Sequence, residues 1–283
     1  MATLFFTLFT ILCIYPFYYI FIYSLSNPVE VTKKTMTLLP VAFTLDNYLN
    51  IFKLKGILGA FVVSSTRTVI GTGITVIFSS MLAYALTKAL LPYRKVMYKL
   101  VVMSMYINAG LIPWYIIMLK LGMKNNYLAY ILPSAVNAYL LILVKTYIEQ
   151  IPAAIEESAL MDGAGFFTIF RKIVFPLCKP ITAAIAVFSA VDQWNKWYDN
   201  LFLMNNKNMM TLQLTLLNFL REAEALAQAA MSGSNVSDFK HAALSPMSIK
   251  MTITMLVTIP IILVYPIFQK YFVKGIMLGS VKG

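Results

Sequence analysis

The sequence predicts an all-α polytopic membrane protein with six transmembrane helices. Hydrophobic residues make up 60% of the 283 residues and charged residues only 12%, and the mean hydropathy is +0.76. A water-soluble chain of this composition could not cover its own surface with polar groups. Long segments without any Asp, Glu, Lys or Arg also recur along the chain. Composition and charge spacing together exclude an ordinary soluble enzyme.

Five charge-free segments are long enough to cross a bilayer. A helix rises ~1.5 Å per residue, so about 20 residues span the hydrocarbon core of roughly 30 Å. The segments are residues 1–29, Thr68–Thr87, Leu100–Leu119, Asn125–Val144 and Met251–Gln269. We therefore predict transmembrane helices over about 2–25, 62–87, 97–119, 127–148 and 251–273.

A sixth helix, predicted over 180–204, is unusual because charges interrupt its second half. Asp192, Lys196 and Asp199 follow a charge-free first half. A charge at the centre of a bilayer costs about 2.5–3.5 kcal/mol on insertion scales. This half of the helix must therefore face water, protein or a ligand, and we predict that it lines a cavity.

The distribution of basic residues favours a topology with both termini inside. Among the short connections, "KALLPYRKVMYK" on the predicted inner side is more basic than "KLGMKNN" on the outer side. This topology makes 149–179 an internal loop, and 26–58 and 205–250 external loops. The first external loop contains a predicted interfacial helix, "TLDNYLNIFK", and the second begins with an amphipathic helical pattern. We predict a single transmembrane domain over 1–283.

No metal, disulfide or nucleotide site is indicated by residue spacing. Cys13 and Cys178 fall on different predicted elements, which argues against a disulfide. His241 is the single histidine and has no neighbouring ligand cluster, so it is a poor metal site. The net charge of +12 is dispersed over many loops, which argues against nucleic acid binding. No G-x-x-x-x-G-K-[ST] phosphate loop occurs, so we predict no catalytic residue and no bound metal or cofactor.

The internal loop carries an acidic stretch, "EESALMDGAG", in a chain with only 11 acids. Helical spacing divides the stretch into an apolar side and an acidic side. The apolar side is Ile155, Ala159 and Met161, and the acidic side is Glu156, Glu157 and Asp162. The "DGAG" sequence then breaks the helix, and "FFTIFRKIVFP" predicts a second short helix that ends at Pro176. We therefore predict two short helices around a glycine turn, held against the membrane face.

The spacing of this loop resembles the Glu-Ala-Ala loop of permease subunits of ATP-binding-cassette importers. The pattern begins with Glu157-Ser158-Ala159, and three residues separate Ala159 from Gly163. Nine residues then separate Gly163 from Ile173, and one residue separates Ile173 from Phe175-Pro176. Ser158 stands where the family usually has alanine, and Phe175 where it usually has leucine. The stretches "FTLDNYLNIF", "AYALTK" and "YPIFQKYFVKGIMLGSVKG" extend the resemblance over nearly the whole chain after the first helix. They resemble the carbohydrate-uptake branch, and in particular the six-helix permease of the maltose importer.

The resemblance implies that the acidic helix is a coupling helix, which sits in a cleft of a cytoplasmic ATPase subunit. The residues it assigns to coupling are Glu156, Glu157, Ser158, Ala159, Asp162, Gly163 and Gly165. It further implies a complex in a bacterial cytoplasmic membrane with a second permease subunit, a solute-binding protein and two ATPase subunits that hold ATP and Mg²⁺. The complex would import a sugar or oligosaccharide by alternating access. This chain itself would not be an enzyme.

The charged half of the sixth helix supplies the candidates for a substrate path. Its aromatic residues are Trp194, Trp197 and Tyr198, and its polar residues are Gln193, Asn195, Asp199 and Asn200. This mixture suits a sugar, but the aromatic residues also fit a belt at the outer interface. Arg67 is a further candidate, although a helix-end charge that reaches the lipid headgroups is the favoured interpretation. On the same helix Thr75, Ser79 and Ala83 recur every four residues, which predicts close helix packing.

Three other functions compete with a sugar importer. An enzyme that uses the acids of the internal loop would need a cleft with His, Cys or a metal cluster, and the loop offers none in sequence. A secondary transporter would show an internal repeat and acids within charge-free spans. An importer of another solute class is compatible with the same coupling loop, so this alternative stays open.

Overall fold

The computed structural model of the chain describes residues 2–31, 33, 38–54, 56–107, 109–231 and 246–280. Every regular element in these residues is helical, which confirms the all-α class. In chain order the helices are α1 Ala2–Ser24, α2 Pro28–Val31, α3 Asp46–Lys53, α4 Ile57–Thr87, α5 Arg94–Tyr106, α6 Leu111–Lys120, α7 Ala138–Ile148, α8 Ala153–Met161, α9 Phe166–Ile169, α10 Phe175–Leu177, α11 Lys179–Asn195, α12 Tyr198–Leu203, α13 Leu212–Met231 and α14 Pro246–Ser280. Short 3-10 turns cover Tyr127–Tyr130, Leu132–Ser134 and Lys207–Met209, and a π-helical turn covers Phe170–Val174.

Two of the described helices, α1 and α4, are by themselves long and apolar enough to cross a membrane. Helix α1 ends at Ser24, close to the predicted end at 25. Helix α4 begins at Ile57, earlier than the predicted start at 62. The helix thus includes Arg67, as predicted, and begins five residues before the predicted start.

Two predicted spans are interrupted by local capping. The span predicted over 97–119 consists of α5 and α6, and α6 begins after Gly110, whose φ is +81°. The span predicted over 127–148 starts as two 3-10 turns and continues as α7 after a bend of 43°. The side chain of Asn137 caps α7 by accepting a hydrogen bond from the Leu140 N–H. Hydropathy along the sequence detects apolar length but not these caps.

The sixth predicted span, 180–204, is two helices rather than one. Helix α11 ends at Asn195, and Lys196 has an extended backbone (ψ 123°) before α12 begins at Tyr198. At its other end α11 is bent by 82° from the helical segment Phe166–Leu177. When each bent pair counts as one span, the described residues contain four segments that could cross a membrane by length and composition.

The C-terminal part of the chain contains two long helices. The last predicted span, 251–273, lies within α14, which extends further at both ends. Helix α13 occupies the amphipathic part of the predicted external loop 205–250. Residues 232–245 lie outside the described residues, and they include His241, which the sequence indicated to be a poor metal ligand.

The chain forms two compact units, Met1–Val63 with Met210–Ile262 and Ser64–Met209 with Leu263–Gly283. In the first unit, α3 is held on the end of α1 by hydrogen bonds. The Asn47 side-chain N–H₂ donates to the carbonyls of Ser24 at 2.9 Å and Ser26 at 2.8 Å. The single domain predicted over 1–283 stays a prediction.

The core of the second unit joins α4, α7, α8 and α11. Thr75, Ser79 and Ala83 of α4 are all buried, as their spacing predicts. The Thr75 hydroxyl donates to the Ser134 carbonyl at 2.8 Å, and the Ser79 hydroxyl accepts from the Asn137 N–H at 3.4 Å. Small side chains therefore let the chain before α7 approach α4 closely, and their hydroxyls satisfy its backbone.

Candidate functional site

The acidic helix α8 ends in a Schellman turn at Gly163, whose φ is +79°. The Gly163 N–H donates to the Leu160 carbonyl and the Ala164 N–H to the Ala159 carbonyl, both at 3.0 Å. These two bonds satisfy carbonyls that the end of a helix leaves free, and glycine takes the left-handed conformation without the strain of a β-carbon. The predicted glycine turn is confirmed.

The inner and outer sides of α8 differ from the predicted ones. Ala159 is buried and Glu156 is half-buried, so these two residues form the inner side. Ile155 and Met161, predicted to face an apolar surface, are 37% and 88% exposed. The other predicted coupling residues, all exposed, are Glu157, Ser158, Asp162, Gly163 and Gly165. The predicted apolar side is thus buried at Ala159 but not at Ile155 or Met161, and Glu156 turns inward because it finds a partner inside the second unit.

That partner is Lys88, the residue that follows α4. The Lys88 ammonium group donates a hydrogen bond to the Glu156 carboxylate, and the two side chains are 19% and 16% exposed. The ammonium nitrogen also lies 4.1 Å from the ring centre of Tyr84. The Tyr84 ring in turn packs on Phe170, with ring centres 5.4 Å apart. These contacts join the end of α4 to both halves of the internal loop.

The second half of the internal loop is a continuous helical segment with a local change of helix type. It runs through α9, the π-helical turn and α10, and it buries Phe170 and Val174 in the core. The predicted second short helix is therefore present, but it ends at Leu177 rather than at Pro176. Pro176 lies in α10, directly after the π-helical turn.

Arg67 lies at the centre of a buried hydrogen-bond network, and its side chain is fully buried. Its Nη1 donates to Asp199 Oδ1 at 3.2 Å, and its Nη2 donates to Asp199 Oδ2. Its Nε donates to Gln193 Oε1 at 3.1 Å, and Nη1 also donates to the Lys196 carbonyl at 3.1 Å. The headgroup interpretation of Arg67 is wrong, because a carboxylate, an amide and a carbonyl satisfy its guanidinium group inside the protein.

Tyr130 and Asn200 extend this network. The Arg67 guanidinium carbon lies 4.6 Å from the ring centre of Tyr130. The Tyr130 hydroxyl donates to the Met209 carbonyl at 2.7 Å and accepts from the Asn200 side-chain N–H₂. The Asn200 backbone N–H donates to Asp199 Oδ1 at 2.8 Å. The break between α11 and α12 is therefore held by groups from three other parts of the chain.

Gln193 packs directly against α4 at Gly71. A β-carbon at Gly71 would lie 2.5 Å from Gln193 Nε2 and 2.7 Å from its Cδ, which is closer than real β-carbon contacts. Glycine therefore permits the close approach of α11 to α4 at this position.

The residues predicted to line a substrate path fall into a buried group and a group that reaches the surface. The buried ones are Arg67, Gln193, Trp194, Asp199 and Asn200. The ones that reach the surface are Asn195, Trp197 and Tyr198. Trp197 is 39% exposed, whereas the Tyr198 ring meets the ring of Trp114 edge-on at 5.5 Å. The buried members therefore bond or pack within the protein in this structure.

The second unit contains a polar cavity of about 150 Å³, and Asp192 of the sixth predicted span lines it. Its lining residues are Thr75, Ser134, Asn137, Tyr139, Leu140, Phe188, Ser189 and Asp192. Lys196 Nζ donates to two of them, to Asp192 Oδ2 at 3.2 Å and to Ser134 Oγ at 3.3 Å. Ser189 was not among the predicted residues; it lies three residues before Asp192 on the same side of α11, and this helical spacing is the signal that could have identified it.

Among the residues that the structure describes, no group of three His, Cys, Asp or Glu side chains could hold a metal ion. Cys13 is exposed and Cys178 is buried, and both are free thiols. The polar groups of the second unit are thus organised as hydrogen-bond networks rather than as a metal centre.

Known proteins similar to this chain identify its family. No protein-family model matches the chain. The chain is 37% identical over 280 residues to the polygalacturonan/rhamnogalacturonan transport system permease protein YtcP of Bacillus subtilis (strain 168), which covers 99% of this chain and 96% of the relative. The chain belongs to the family of sugar ABC transporter permeases.

Two further similarities support this assignment over nearly the full length of the permease. Protein LplC of Bacillus subtilis (strain 168) is 35% identical over 270 residues, covering 95% of this chain and 90% of the relative. The crystal structure of a bacterial ABC transporter involved in the import of the acidic polysaccharide alginate contains a chain that is 31% identical, with a TM-score of 0.84 and coverage of 96% of this chain and 95% of that one. The resemblance seen in the sequence is confirmed, and membership of this family excludes the secondary transporter.

Proposed function

We propose that this permease is a membrane subunit of an ATP-driven importer of acidic oligosaccharides. It pairs with a second permease subunit, docks two ATPase subunits on the cytoplasmic side of the pair, and receives its substrate from a solute-binding protein. ATP and Mg²⁺ are bound by the ATPase subunits, and this chain binds no cofactor. The name of the 37% identical relative and the alginate importer with the same fold support this proposal.

The proposed arrangement has six spans in a bacterial cytoplasmic membrane, with both termini on the cytoplasmic side. Helices α1, α4 and α14 each cross once. The other three spans are broken helices, formed by α5 with α6, by the two 3-10 turns with α7, and by α11 with α12. The internal loop 149–179 then faces the cytoplasm, and the loops 26–58 and 205–250 face outward. The apolar lengths of α1 and α4, and of the 3-10 turns together with α7, support three of these spans.

The polar cavity is the observation that carries the proposed substrate path. Ser189, Asp192 and Asn137 offer hydrogen-bonding groups to sugar hydroxyls, and Tyr139 and Phe188 offer flat apolar faces to the ring. This combination of polar and aromatic side chains suits a carbohydrate better than an apolar solute.

The predicted path residues take two roles in this proposal. Asn195, Trp197 and Tyr198 reach the surface near Asp192 in sequence, and they contact the sugar as it enters or leaves. The buried group of Arg67, Gln193, Trp194, Asp199 and Asn200 holds the break after α11 in place, so that the path keeps its shape. Their effect on transport is therefore indirect.

An acidic substrate is favoured by the relatives and by Lys196. The alginate importer carries an acidic polysaccharide by its own description, and polygalacturonan, in the name of the 37% identical relative, is a polymer of a uronic acid. Lys196 holds its ammonium group against two residues of the cavity wall. A uronate carboxylate that enters the cavity can pair with this group.

The exposed side of α8 carries the proposed coupling contact. Glu157 and Asp162 are acidic and accessible, and Gly163 and Gly165 leave room for close approach of a partner. Ser158 lies on the same exposed side, whereas Ala159 anchors the helix to the permease core. Acidic groups of this kind can pair with basic groups of an ATPase subunit.

The test is uptake by the complete transporter in proteoliposomes, with the solute-binding protein present. Oligogalacturonate, a neutral arabino-oligosaccharide and a tripeptide are compared at equal concentration, and ATP hydrolysis is measured in parallel. We expect ATP-dependent uptake of the oligogalacturonate. Preference for the neutral sugar would refute the acidic class, and uptake of the peptide alone would show that the importer serves another solute class.

A further inference from the structure

Five ion pairs occur among the described residues, and three of them join positions three or four apart in the chain. The other two, Arg67–Asp199 and Lys88–Glu156, join different elements of the second unit. The first lies in the network at the break after α11. The second attaches the acidic helix α8 to the end of α4, and it therefore involves a residue predicted to serve in coupling.

We infer that the Lys88–Glu156 pair is the link that carries movement of α8 to α4, and that Glu156 is a positioning residue rather than an ATPase contact. The inference rests on the proposed function, because it requires that an ATPase subunit moves α8. It separates the roles of two neighbouring acids. Glu156 bonds inward to Lys88, whereas Glu157 is exposed and available to the ATPase.

Both charges lie where the helix dipoles stabilise them. Lys88 directly follows the C-terminal end of α4, where the last carbonyls carry partial negative charge, and Glu156 lies in the first turn of α8, where the free N–H groups carry partial positive charge. Both side chains are mostly buried, so salt screens their attraction less than that of a surface pair. Loss of one partner leaves the other charge uncompensated in a poorly solvated place.

The packing around the pair makes the link stiff. Tyr84 supports the Lys88 ammonium group on its ring and contacts Phe170, and Ala159 is buried in the same hydrophobic cluster. Helix α4 then continues without a break to Thr75 in the cavity wall, a distance of about 20 Å at ~1.5 Å per residue. A displacement of α8 thus reaches the cavity through one rigid helix.

A charge swap in the complete reconstituted transporter tests this link. Lys88→Glu and Glu156→Lys are made singly and together, and subunit assembly and basal and substrate-stimulated ATP hydrolysis are measured. We expect each single change to lower the ratio of stimulated to basal hydrolysis about tenfold, a usual size for a coupling between sites. The double change should restore much of that ratio. A purely structural role would reduce the amount of assembled complex without changing the ratio in the complexes that form.

A second variant keeps the test decisive if a single change prevents assembly. The double variant Lys88→Met with Glu156→Gln preserves the approximate shape of both side chains and removes both charges, so no charge is left unpaired. We expect this variant to assemble and to lose coupling. Full coupling in this variant, or no recovery in the charge swap, would overturn the inference. Glu30→Lys is the matched control, because Glu30 is an exposed acid in a local pair with the exposed Lys33 and lies outside the internal loop, and it should keep the wild-type ratio. Absence of stimulated hydrolysis in the wild-type complex would instead contradict the proposed function.

Discussion

Arg67 and Asp199, 132 positions apart in the chain, form a two-point ion pair in the interior of the second unit. The pair joins α4 to the first turn of α12, just after the non-helical residues Lys196 and Trp197. Because Gln193 and the Lys196 carbonyl bond the same guanidinium group, one arginine holds both sides of the helix break. The pair explains how the charges of Arg67 and Asp199 are accommodated within apolar helices, where a bilayer would not tolerate them unpaired.

Removal of one partner of this pair should destabilise the permease strongly. We expect Arg67→Met to cost about 3–5 kcal/mol, because it leaves the Asp199 carboxylate buried and uncompensated. The double variant Arg67→Met with Asp199→Leu should recover much of the loss. The measurement is the midpoint of thermal unfolding in detergent, with Glu30→Ala in the exposed Lys33 pair as a control that should change little. A single variant as stable as the wild type would show that the pair does not hold the break.

The contact between Gly71 and Gln193 should be sensitive to one added methyl group. Gly71→Ala forces the buried Gln193 side chain to move, and we expect a loss of about 1–3 kcal/mol of stability, as for other overpacked positions. Gly73→Ala is the matched control, since a β-carbon there meets no atom within 4 Å. It should be neutral or slightly stabilising, because alanine favours a helix. Equal unfolding midpoints for the two variants would contradict the close contact.

The Schellman turn should be required for coupling rather than for insertion. Gly163→Pro cannot adopt a φ of +79° and also removes the N–H that bonds the Leu160 carbonyl. We expect normal amounts of permease in the membrane but loss of substrate-stimulated ATP hydrolysis. Gly73→Ala serves as the control, because Gly73 lies outside the internal loop and a β-carbon there meets no atom within 4 Å. Normal stimulation with Gly163→Pro would show that α8 and its turn are not the coupling element.

The exposed acid Glu157 should determine assembly with the ATPase. If it pairs with a basic group of that subunit, Glu157→Lys places two positive charges in contact, and we expect weaker co-purification of the ATPase. Reversal of the charge on the partner group should partly restore it. Co-purification is measured against Glu30→Lys, which reverses an exposed acid outside the internal loop and should not affect it. If no partner reversal rescues Glu157→Lys, the ion pair is refuted, although docking of α8 by shape is not.

The cavity wall should control uptake without affecting basal hydrolysis. We expect Lys196→Ala to lower uptake of oligogalacturonate about tenfold or more, because it removes the ammonium group that pairs with the uronate, and a hydrogen bond to a charged group contributes roughly 1.5–3 kcal/mol. Trp197→Ala should also impair uptake if its exposed ring contacts the sugar, while Trp197→Phe should be tolerated better. Uptake and basal ATP hydrolysis are measured in the same proteoliposomes. Wild-type uptake for all three variants would remove this cavity and Trp197 from the substrate path.

Local sequence patterns were sufficient for the fold class, the family and part of the site. Charge-free runs identified α1 and α4, and the spacing from Glu157 to Pro176 identified both the internal loop and the family. The glycine turn at Gly163 and the buried row of Thr75, Ser79 and Ala83 were also predicted correctly. All of these features depend on residues close together in the chain, where composition and helical period act directly.

Only the tertiary structure determined which polar groups meet. The sequence placed Glu156 on the side of solvent or a partner and Arg67 at the lipid headgroups. It did not show that Lys88, 68 positions from Glu156, and Asp199, 132 positions from Arg67, bond these two residues. The helix breaks at Gly110 and Lys196 were also missed, and so were the residues of other elements that line the cavity beside α11. The physical reason is that composition and helical period describe a residue's neighbours along the chain, whereas a buried charge takes its partner from whichever element the packing brings within hydrogen-bond distance.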